Sequence, residues 1–117
     1  ICHVDCLHYM CLLINTTVAM CSVVKEGFLC WLHQRFIPAV QDNGAADVVA
    51  SRVIGQMLDG PLPDDETEAY ACQFQVKSRE AAAKLADCIS GYIIAECRAS
   101  WADRVLPFTT FMEILEK

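Results

Sequence analysis

The sequence lacks the features that would place it among nucleic-acid-binding, membrane-spanning or secreted proteins. Its 9 lysine and arginine residues are scattered singly and its formal net charge is −6, so the clustered basic face of a nucleic-acid-binding protein is missing. No apolar run approaches the roughly 20 residues that a membrane-spanning helix needs. The first residues carry no positively charged segment of the kind that begins a secretory signal. We therefore expect an intracellular, cytoplasmic protein with no membrane span and no nucleic-acid partner.

The sequence also lacks the motifs of common catalytic sites. It contains neither a P-loop nor a Gly-x-Gly-x-x-Gly motif, and no cysteine has the flanking residues of an activated nucleophile. Four acids do cluster after Pro63, but acids in that position are typical of a helix start, where they face the positive end of the dipole. These acids are Asp64, Asp65, Glu66 and Glu68. We expect no enzymatic activity, no catalytic residue and no cofactor.

Cysteine is abundant, with 8 residues, but the Cys-x-x-Cys spacing of a zinc knuckle is absent. Cys2, His3 and Cys6 share a helical register, so two of them can reach one ion, yet a structural zinc site needs two further ligands from elsewhere. Each cysteine lies in an apolar, helix-like segment, where a reduced thiol behaves as a small hydrophobic side chain. We expect reduced cysteines and no metal site.

Apolar residues recur at helical spacings, and no segment stands out with a period of two. Phe28, Leu32 and Phe36, for example, follow one another at steps of four. A chain of 117 residues and 13.0 kDa is expected to form a single domain, 1–117. The prediction is an all-α domain of about seven helices, near residues 4–14, 18–35, 45–58, 63–76, 78–97, 100–106 and 109–115.

Two stretches resemble homology boxes of the Bcl-2 family of apoptosis regulators. Ser100–Leu115 is similar to the second box, with matching residues at matching spacing: Trp101, Phe108, Thr110, Phe111, Glu113 and Ile114. Ala50–Glu66, which contains Asp59 and Gly60, resembles the fourth helix and first box. The pattern is closer still to the shortened Bcl-2 homologues of large DNA viruses, notably poxviruses. Glu26–Phe36 is more weakly similar to the family's second helix.

The resemblance implies a Bcl-2-like helical bundle with a hydrophobic groove on its surface. The implied function is anti-apoptotic: the groove would sequester pro-apoptotic proteins by binding the amphipathic helix of their third homology motif. Mitochondrial association is expected if the natural chain has a membrane tail. Helical spacing alone does not separate groove positions from core positions. The implied groove residues are Phe28, Leu32, Phe36, Val49, Arg52, Val53, Gln56, Met57, Asp59, Gly60 and Phe74.

Departures from the family pattern leave alternatives open. The arginine that pairs with an aspartate of the ligand helix is missing after Gly60, so Arg52 is its candidate substitute and we expect narrow ligand selectivity. The missing arginine favours an alternative function, in which a viral Bcl-2-fold protein inhibits innate immune (NF-κB-type) signalling through a flat interface. An alternative register makes 78–97 the central helix. A homodimer is also expected, because 55% hydrophobic residues leave apolar surface for a partner to cover.

Overall fold

The computed structural model describes residues 11–54 and 67–115. The described chain contains four β-strands, numbered β1 to β4 in chain order: Leu12–Cys21, Ala46–Arg52, Thr67–Val76 and Val105–Glu113. The helical segment α1 joins a 3-10 turn, an α-helix, a π-helical turn and a second α-helix: Ser22–Val24, Lys25–Trp31, Leu32–Phe36 and Ile37–Asp42. The helical segment α2 joins an α-helix, a π-helical stretch, an α-helical turn and a 3-10 turn: Arg79–Ile89, Ser90–Cys97, Arg98–Trp101 and Ala102–Arg104.

The four strands form one sheet with the order β2-β3-β1-β4, and every pair is antiparallel. β1 is central: Thr17, for example, lies opposite Ala71 of β3 and opposite Phe108 of β4. The two helical segments pack on the same face of the sheet and bury the hydrophobic core against it. This β-α-β-β-α-β arrangement is the ferredoxin-like fold.

The prediction of an all-α, Bcl-2-like bundle is therefore wrong. The residues of β1 explain why this strand was not predicted. Along β1, buried residues alternate with half-buried ones, which is the period of two expected of a strand with one buried face. The buried series includes the polar Thr16, and the opposite series includes the apolar Leu13. Because both series mix polar and apolar residues, the hydrophobicity of the sequence hides the alternation of the structure.

β3 shows a clearer alternation of buried and exposed residues, although this segment was predicted to be part of a helix. Cys72, Phe74 and Val76 are buried, whereas Gln73 between them is exposed. The helix predicted over 63–76 is wrong in its described part, because apolar residues at every second position fit a strand and not a helix. The helices predicted over 45–58 and 109–115 are likewise wrong where β2 and the end of β4 occupy those ranges.

The helix predicted from Ser78 is confirmed, and α1 corresponds in part to the helix predicted over 18–35. Ser78 caps α2, because its Oγ accepts a hydrogen bond from the backbone N–H of Ala81 at 3.1 Å. α1 begins later than predicted and continues past Pro38, which follows the π-helical turn. Its buried stripe consists of residues spaced by four: Phe28, Leu32, Phe36 and Val40. Within residues 11–54 and 67–115, no helix combines the length and apolar character needed to span a membrane.

Candidate functional site

The helices leave one face of the sheet open. Strand side chains point alternately to the two faces, and the buried residues of β1 and β3 all lie on the face that packs against α1 and α2. The opposite positions form what we term the open face. It consists of Leu13, Asn15, Thr17 and Ala19 of β1, Val49 and Ser51 of β2, Ala69, Ala71, Gln73 and Gln75 of β3, and Leu106, Phe108, Thr110 and Met112 of β4.

None of these described open-face positions carries a charged side chain, although 21% of the chain is charged. An antiparallel sheet with one solvated face commonly places polar residues on that face. Here β4 exposes large apolar side chains: Leu106 is 66% exposed, Phe108 53% and Met112 37%. Large apolar side chains exposed on one face make that face a candidate contact surface.

Asn15 lies on the open face with an incompletely satisfied side-chain amide. Its Nδ2 donates a hydrogen bond to Oγ1 of Thr17 at 3.0 Å, while its Oδ1 is buried and has no hydrogen-bond partner among the described residues. Rotating the side-chain amide by 180° would bring Oδ1 to the hydroxyl of Thr17, which can donate as well as accept. Nδ2 would then be the atom without this partner. A buried polar atom without a partner costs about 1–3 kcal/mol. The open face therefore carries an unfavourable feature in the isolated chain.

The two edges of the sheet are poorly suited to pairing with further strands. The backbone N–H of Ile114 donates to the carbonyl of Cys11 at 3.0 Å, and by the antiparallel register the even-numbered residues of β4 donate towards β1. The odd-numbered residues, including Pro107, then face outwards, where Pro107 has no N–H to offer. At the other edge, β2 has an irregular register between Ala46 and Val49, with Asp47 at φ 54°. Proline, bulges and charges are features that protect sheet edges.

Glu68 is a buried carboxylate on the helix-facing side of β3. Its Oε2 lies 3.5 Å from Nζ of Lys25, and its Oε1 lies 3.3 Å from Nε of Arg52 and accepts a hydrogen bond from the hydroxyl of Tyr70 at 3.0 Å. Burial, the hydrogen bond to Glu68 and the charge of Glu68 raise the pKa of Tyr70, and the charge of Arg52 opposes them. Two cations balance one carboxylate, so the cluster connects α1, β2 and β3 and leaves no unpaired acid to act as a catalyst.

The buried thiols are poor nucleophiles. Burial raises the pKa of Cys72 to about 11, and burial together with the charge of Glu96 raises that of Cys97 to about 12, so both thiols are protonated at neutral pH. In the part of the chain that the structure describes, no group of three or more His, Cys, Asp or Glu residues is placed to hold a metal ion. Cys2, His3 and Cys6 lie outside the described residues.

A cleft of about 390 Å³ lies between the start of α2 and the end of β4. Three small side chains of α2, those of Ala82, Ala83 and Ala86, leave room beside Phe111, which remains exposed although it points to the helix-facing side. Arg79 and Glu113 also line the cleft and bring opposite charges to it. Its lining therefore selects no single class of ligand.

The residues implied to form a groove do not come together at the surface. Phe28 is 1% exposed and Phe74 0%, and both are part of the core together with Leu32 and Phe36. Val49 lies on the open face of β2, Val53 follows that strand half-buried, and Arg52 pairs with Glu68. Gln56, Met57, Asp59 and Gly60 lie outside the described residues. The apolar stripe of α1 packs on the sheet. A helix that packs on a sheet and a helix that lines a groove both need apolar residues at this four-residue spacing.

The comparisons with known proteins agree with this fold. The model of the family DUF4286, a domain of unknown function, matches residues 11–115. None of the curated proteins matches the chain. A dimeric ferredoxin-like protein from an uncultured marine organism is similar with a TM-score of 0.67 and 12% identity, covering 92% of this chain and 98% of that one. A second protein with that description, also from an uncultured marine organism, has a TM-score of 0.60 and 13% identity, covering 91% and 96%. A NIPSNAP family protein of unknown function from Agrobacterium tumefaciens has a TM-score of 0.57 and 11% identity, covering 92% and 90%.

These findings overturn the viral Bcl-2 resemblance and the anti-apoptotic function that it implied. The matched family is a different one, and the similar solved structures share a two-layer α/β fold. The apparent second homology box is divided between two elements, because Trp101 ends the last α-helical turn of α2 while Phe108 and Glu113 lie in β4. A helix-in-groove site for pro-apoptotic proteins therefore has no place on this molecule. The alternative of a Bcl-2-fold signalling inhibitor fails for the same reason.

The open face was not predicted from the sequence. Its members were assigned to helices, where Thr17, Ala71 and Phe108 would not share a surface. The alternation of Tyr70, Cys72, Phe74 and Val76 with small or amide side chains was the available signal. Applied to β3, it indicates a strand with one apolar face, and the uncharged opposite face follows from the same alternation.

Proposed function

We propose that this chain, which belongs to the DUF4286 family, is a binding module that forms a homodimer by packing its open face against the open face of a second copy. The observation that carries the proposal is the combination, on one face of the sheet, of exposed apolar side chains on β4 with no charged side chain at any described position. Fully burying an aliphatic or aromatic side chain of this size contributes about 1.5–3 kcal/mol, and the exposed fractions of 37–66% leave roughly half of that for the contact. Several such side chains on each copy make association favourable.

Charge favours a second copy as the occupant and this face as the contact. Two copies with a net charge of −6 each repel one another, and the repulsion is weakest where neither surface carries charge. Two of the similar solved structures are described as dimeric ferredoxin-like proteins, which supports a second copy as the occupant. The edges are less suitable contacts, because Pro107 and the irregular register of β2 disfavour the addition of a strand.

The size of the open face suits a small to standard protein interface. Strands lie about 4.8 Å apart and rise about 3.4 Å per residue, so four strands of seven to ten residues present roughly 600 Å² in plan. A standard interface buries about 800 Å² on each partner, counted over the uneven molecular surface. We therefore expect a dissociation constant in the micromolar range or below.

The proposal treats the chain as a binding module and not as an enzyme. It is supported by the raised pKa values of Cys72 and Cys97 and by the two cations that balance Glu68.

The test is sedimentation equilibrium of the purified chain in reducing buffer, compared with Phe108→Asp. We expect a dimer for the unchanged chain and a monomer for Phe108→Asp, because a buried unpaired carboxylate in the contact weakens association by roughly 100-fold or more, or about 3 kcal/mol. The matched control is Val23→Asp, at an apolar side chain that is 77% exposed on α1 and outside the open face. A monomeric unchanged chain, or a dimer that survives Phe108→Asp, would contradict the proposal.

A further inference from the structure

We infer that the two copies are related by a two-fold axis that runs roughly along the strands and passes over β1, so that Phe108 of each copy packs on Ala71 of the other. The inference rests on the proposed homodimer and adds its geometry. It follows from how the strand register arranges large and small side chains across the open face.

Two neighbouring rows of the open face combine one large side chain with small ones. Across the sheet, Phe108 of β4 is followed by Thr17 of β1, Ala71 of β3 and Ser51 of β2. In the next row, Leu106 of β4 is followed by Ala19 and then Ala69. We call Leu106 and Phe108 the ridge. We call the four small residues beside it the depression: Thr17, Ala19, Ala69 and Ala71.

At one end the depression is bounded by longer side chains of the central strands, and at the other it reaches the last paired row of β1 and β3, Cys21 and Thr67. The following rows place Asn15 beside Gln73 and Leu13 beside Gln75 in β1 and β3. The depression is therefore about two strands wide and two rows long, which is roughly 10 Å by 7 Å. An aromatic ring with its neighbouring leucine fits a recess of this size.

A two-fold axis parallel to the strands brings ridge and depression together. Such an axis reverses the order of the strands in the partner but keeps the position along them, so that each row faces the same row of the second copy. With the axis over β1, the ridge on β4 of one copy lies over β3 of the other, and the reciprocal contact forms at the same time. Each large side chain of the ridge on β4 then faces a small one on β3, as a layer about 10 Å thick between packed sheets requires, while Thr17 and Ala19 of β1 face the same residues of the second copy at the axis.

An in-plane axis perpendicular to the strands would leave this complementarity unused. Each strand would then face the same strand of the partner. With that axis between the two rows, Ala69 and Ala71 of β3 would face each other across the contact, and the ridge would face the ridge. Facing small residues leave a void, and voids lower stability by roughly 20 to 30 cal/mol per Å³. The axis over β1 also leaves β2 outside the contact, where the exposed Asp47 stays in water.

The test exchanges the large and the small side chain in one polypeptide. Phe108→Ala alone and Ala71→Phe alone are each expected to weaken the dimer by roughly 10-fold or more in sedimentation equilibrium. Phe108→Ala combined with Ala71→Phe is expected to bring the dissociation constant back to within about fivefold of the unchanged chain. The reason is that the ring introduced on β3 would then pack where the shortened side chain on β4 of the second copy leaves room. Circular dichroism of each variant checks that the fold is retained.

A matched pair of variants distinguishes this geometry from a contact centred between β1 and β3. In that arrangement Phe108 would face Ser51, so Phe108→Ala combined with Ser51→Phe would restore the dimer and the Ala71 combination would not; this result overturns the inference. Val49→Phe on β2 is expected to leave the dissociation constant within about threefold. Loss of the dimer in Phe108→Asp without rescue by the Ala71 exchange would reject the axis while leaving the homodimer in place. Retention of the dimer in Phe108→Asp would reject the homodimer face itself.

Discussion

At the scale of single residues, burial changes the acidity of cysteine thiols. Cys72 and Cys97 are buried, and their thiols have pKa values raised to about 11 and about 12. Cys21 and Cys30 are exposed. The ordinary pKa of 9.0 is recovered when the buried thiols reach water in the unfolded chain. The buried thiols therefore link protonation to folding.

We expect the free energy of unfolding to fall as the pH rises above about 9. A raised pKa in the folded state means that the neutral thiol is favoured there, so the stabilisation is fully present below the ordinary pKa. It is lost progressively as the pH rises towards about 11 for Cys72 and about 12 for Cys97, because the unfolded chain loses these protons first. Urea unfolding of the chain between about pH 7 and pH 10.5 measures the slope.

Two double variants separate this effect from the titration of other groups. Cys72→Ala with Cys97→Ala is expected to show a shallower alkaline decline, although its stability at neutral pH is lower because two buried side chains are shortened. Cys21→Ser with Cys30→Ser, at exposed positions, is expected to keep the full slope. Equal slopes in both double variants would show that the buried thiols do not govern the alkaline decline.

At the scale of the elements, β4 has to meet two requirements. It pairs with β1 along its whole length and exposes apolar side chains on the open face, yet its outer edge must not recruit further strands. Pro107 meets the second requirement, because the missing N–H falls on the outward side and interrupts the row of donors there. The proline therefore steers association from the edge to the face.

Pro107→Val is expected to convert a defined dimer into larger assemblies. Valine adds an outward N–H in the first half of β4, keeps the apolar character of the position and has a high preference for strands. Light scattering at increasing protein concentration measures the average mass, which we expect to rise beyond that of a dimer. Phe111→Val is the matched control, since it is also an odd-numbered position of β4, is exposed and creates no new donor. An unchanged mass for Pro107→Val would show that the proline does not protect the edge.

At the scale of the whole molecule, one sheet separates a core from a contact surface. The face towards the helices holds the large buried side chains, such as Phe28, Phe36 and Phe74, and the opposite face holds small and uncharged ones. A two-layer domain of about 100 residues buries only around two thirds of its unfolded surface. Dimerisation through the open face adds a third and fourth layer and shields apolar side chains that one copy leaves in water.

The thermal midpoint of unfolding is therefore expected to depend on protein concentration. A partner that binds only the folded state stabilises it by mass action, so a roughly tenfold higher concentration raises the midpoint by about 2–5 °C for a domain of this size. Scanning calorimetry over a wide range of concentration measures the effect. Phe108→Asp serves as the reference, with a midpoint that stays constant. A constant midpoint for the unchanged chain would mean that folding and association are not coupled.

Helical stripes of the chain could be predicted from the sequence, but their neighbours could not. Phe28, Leu32 and Phe36 lie at steps of four, and this spacing identified an amphipathic helix with an apolar face. The spacing is the same whether the face meets another helix, a bound peptide or a sheet, so the assignment to a groove had no support from the pattern itself. The cap at Ser78 was predictable because it depends only on local hydrogen bonding.

The strands and the open face were not predicted, because the residues that define them lie in segments far apart in the chain. Thr17, Ala71 and Phe108 are far from one another in the chain and are neighbours only through the register of three strands. The exposed apolar side chains of β4 suggested a homology box when they were considered within one segment. They form part of a surface only together with the side chains of β1 and β3, which the sequence of β4 does not reveal.

The sequence by itself determined which local segments are amphipathic, where α2 begins, and that the chain has enough apolar material for one core. Those properties depend on interactions between residues a few positions apart. Only the tertiary structure decided that the apolar stripe of α1 covers a sheet, that Glu68 lies between two cations, and that large and small side chains form one uncharged face. The physical reason is that the pairing of strands joins residues far apart in the chain. The hydrophobic effect is non-directional, so an apolar residue can be buried against many partners and the sequence does not show which one it will have.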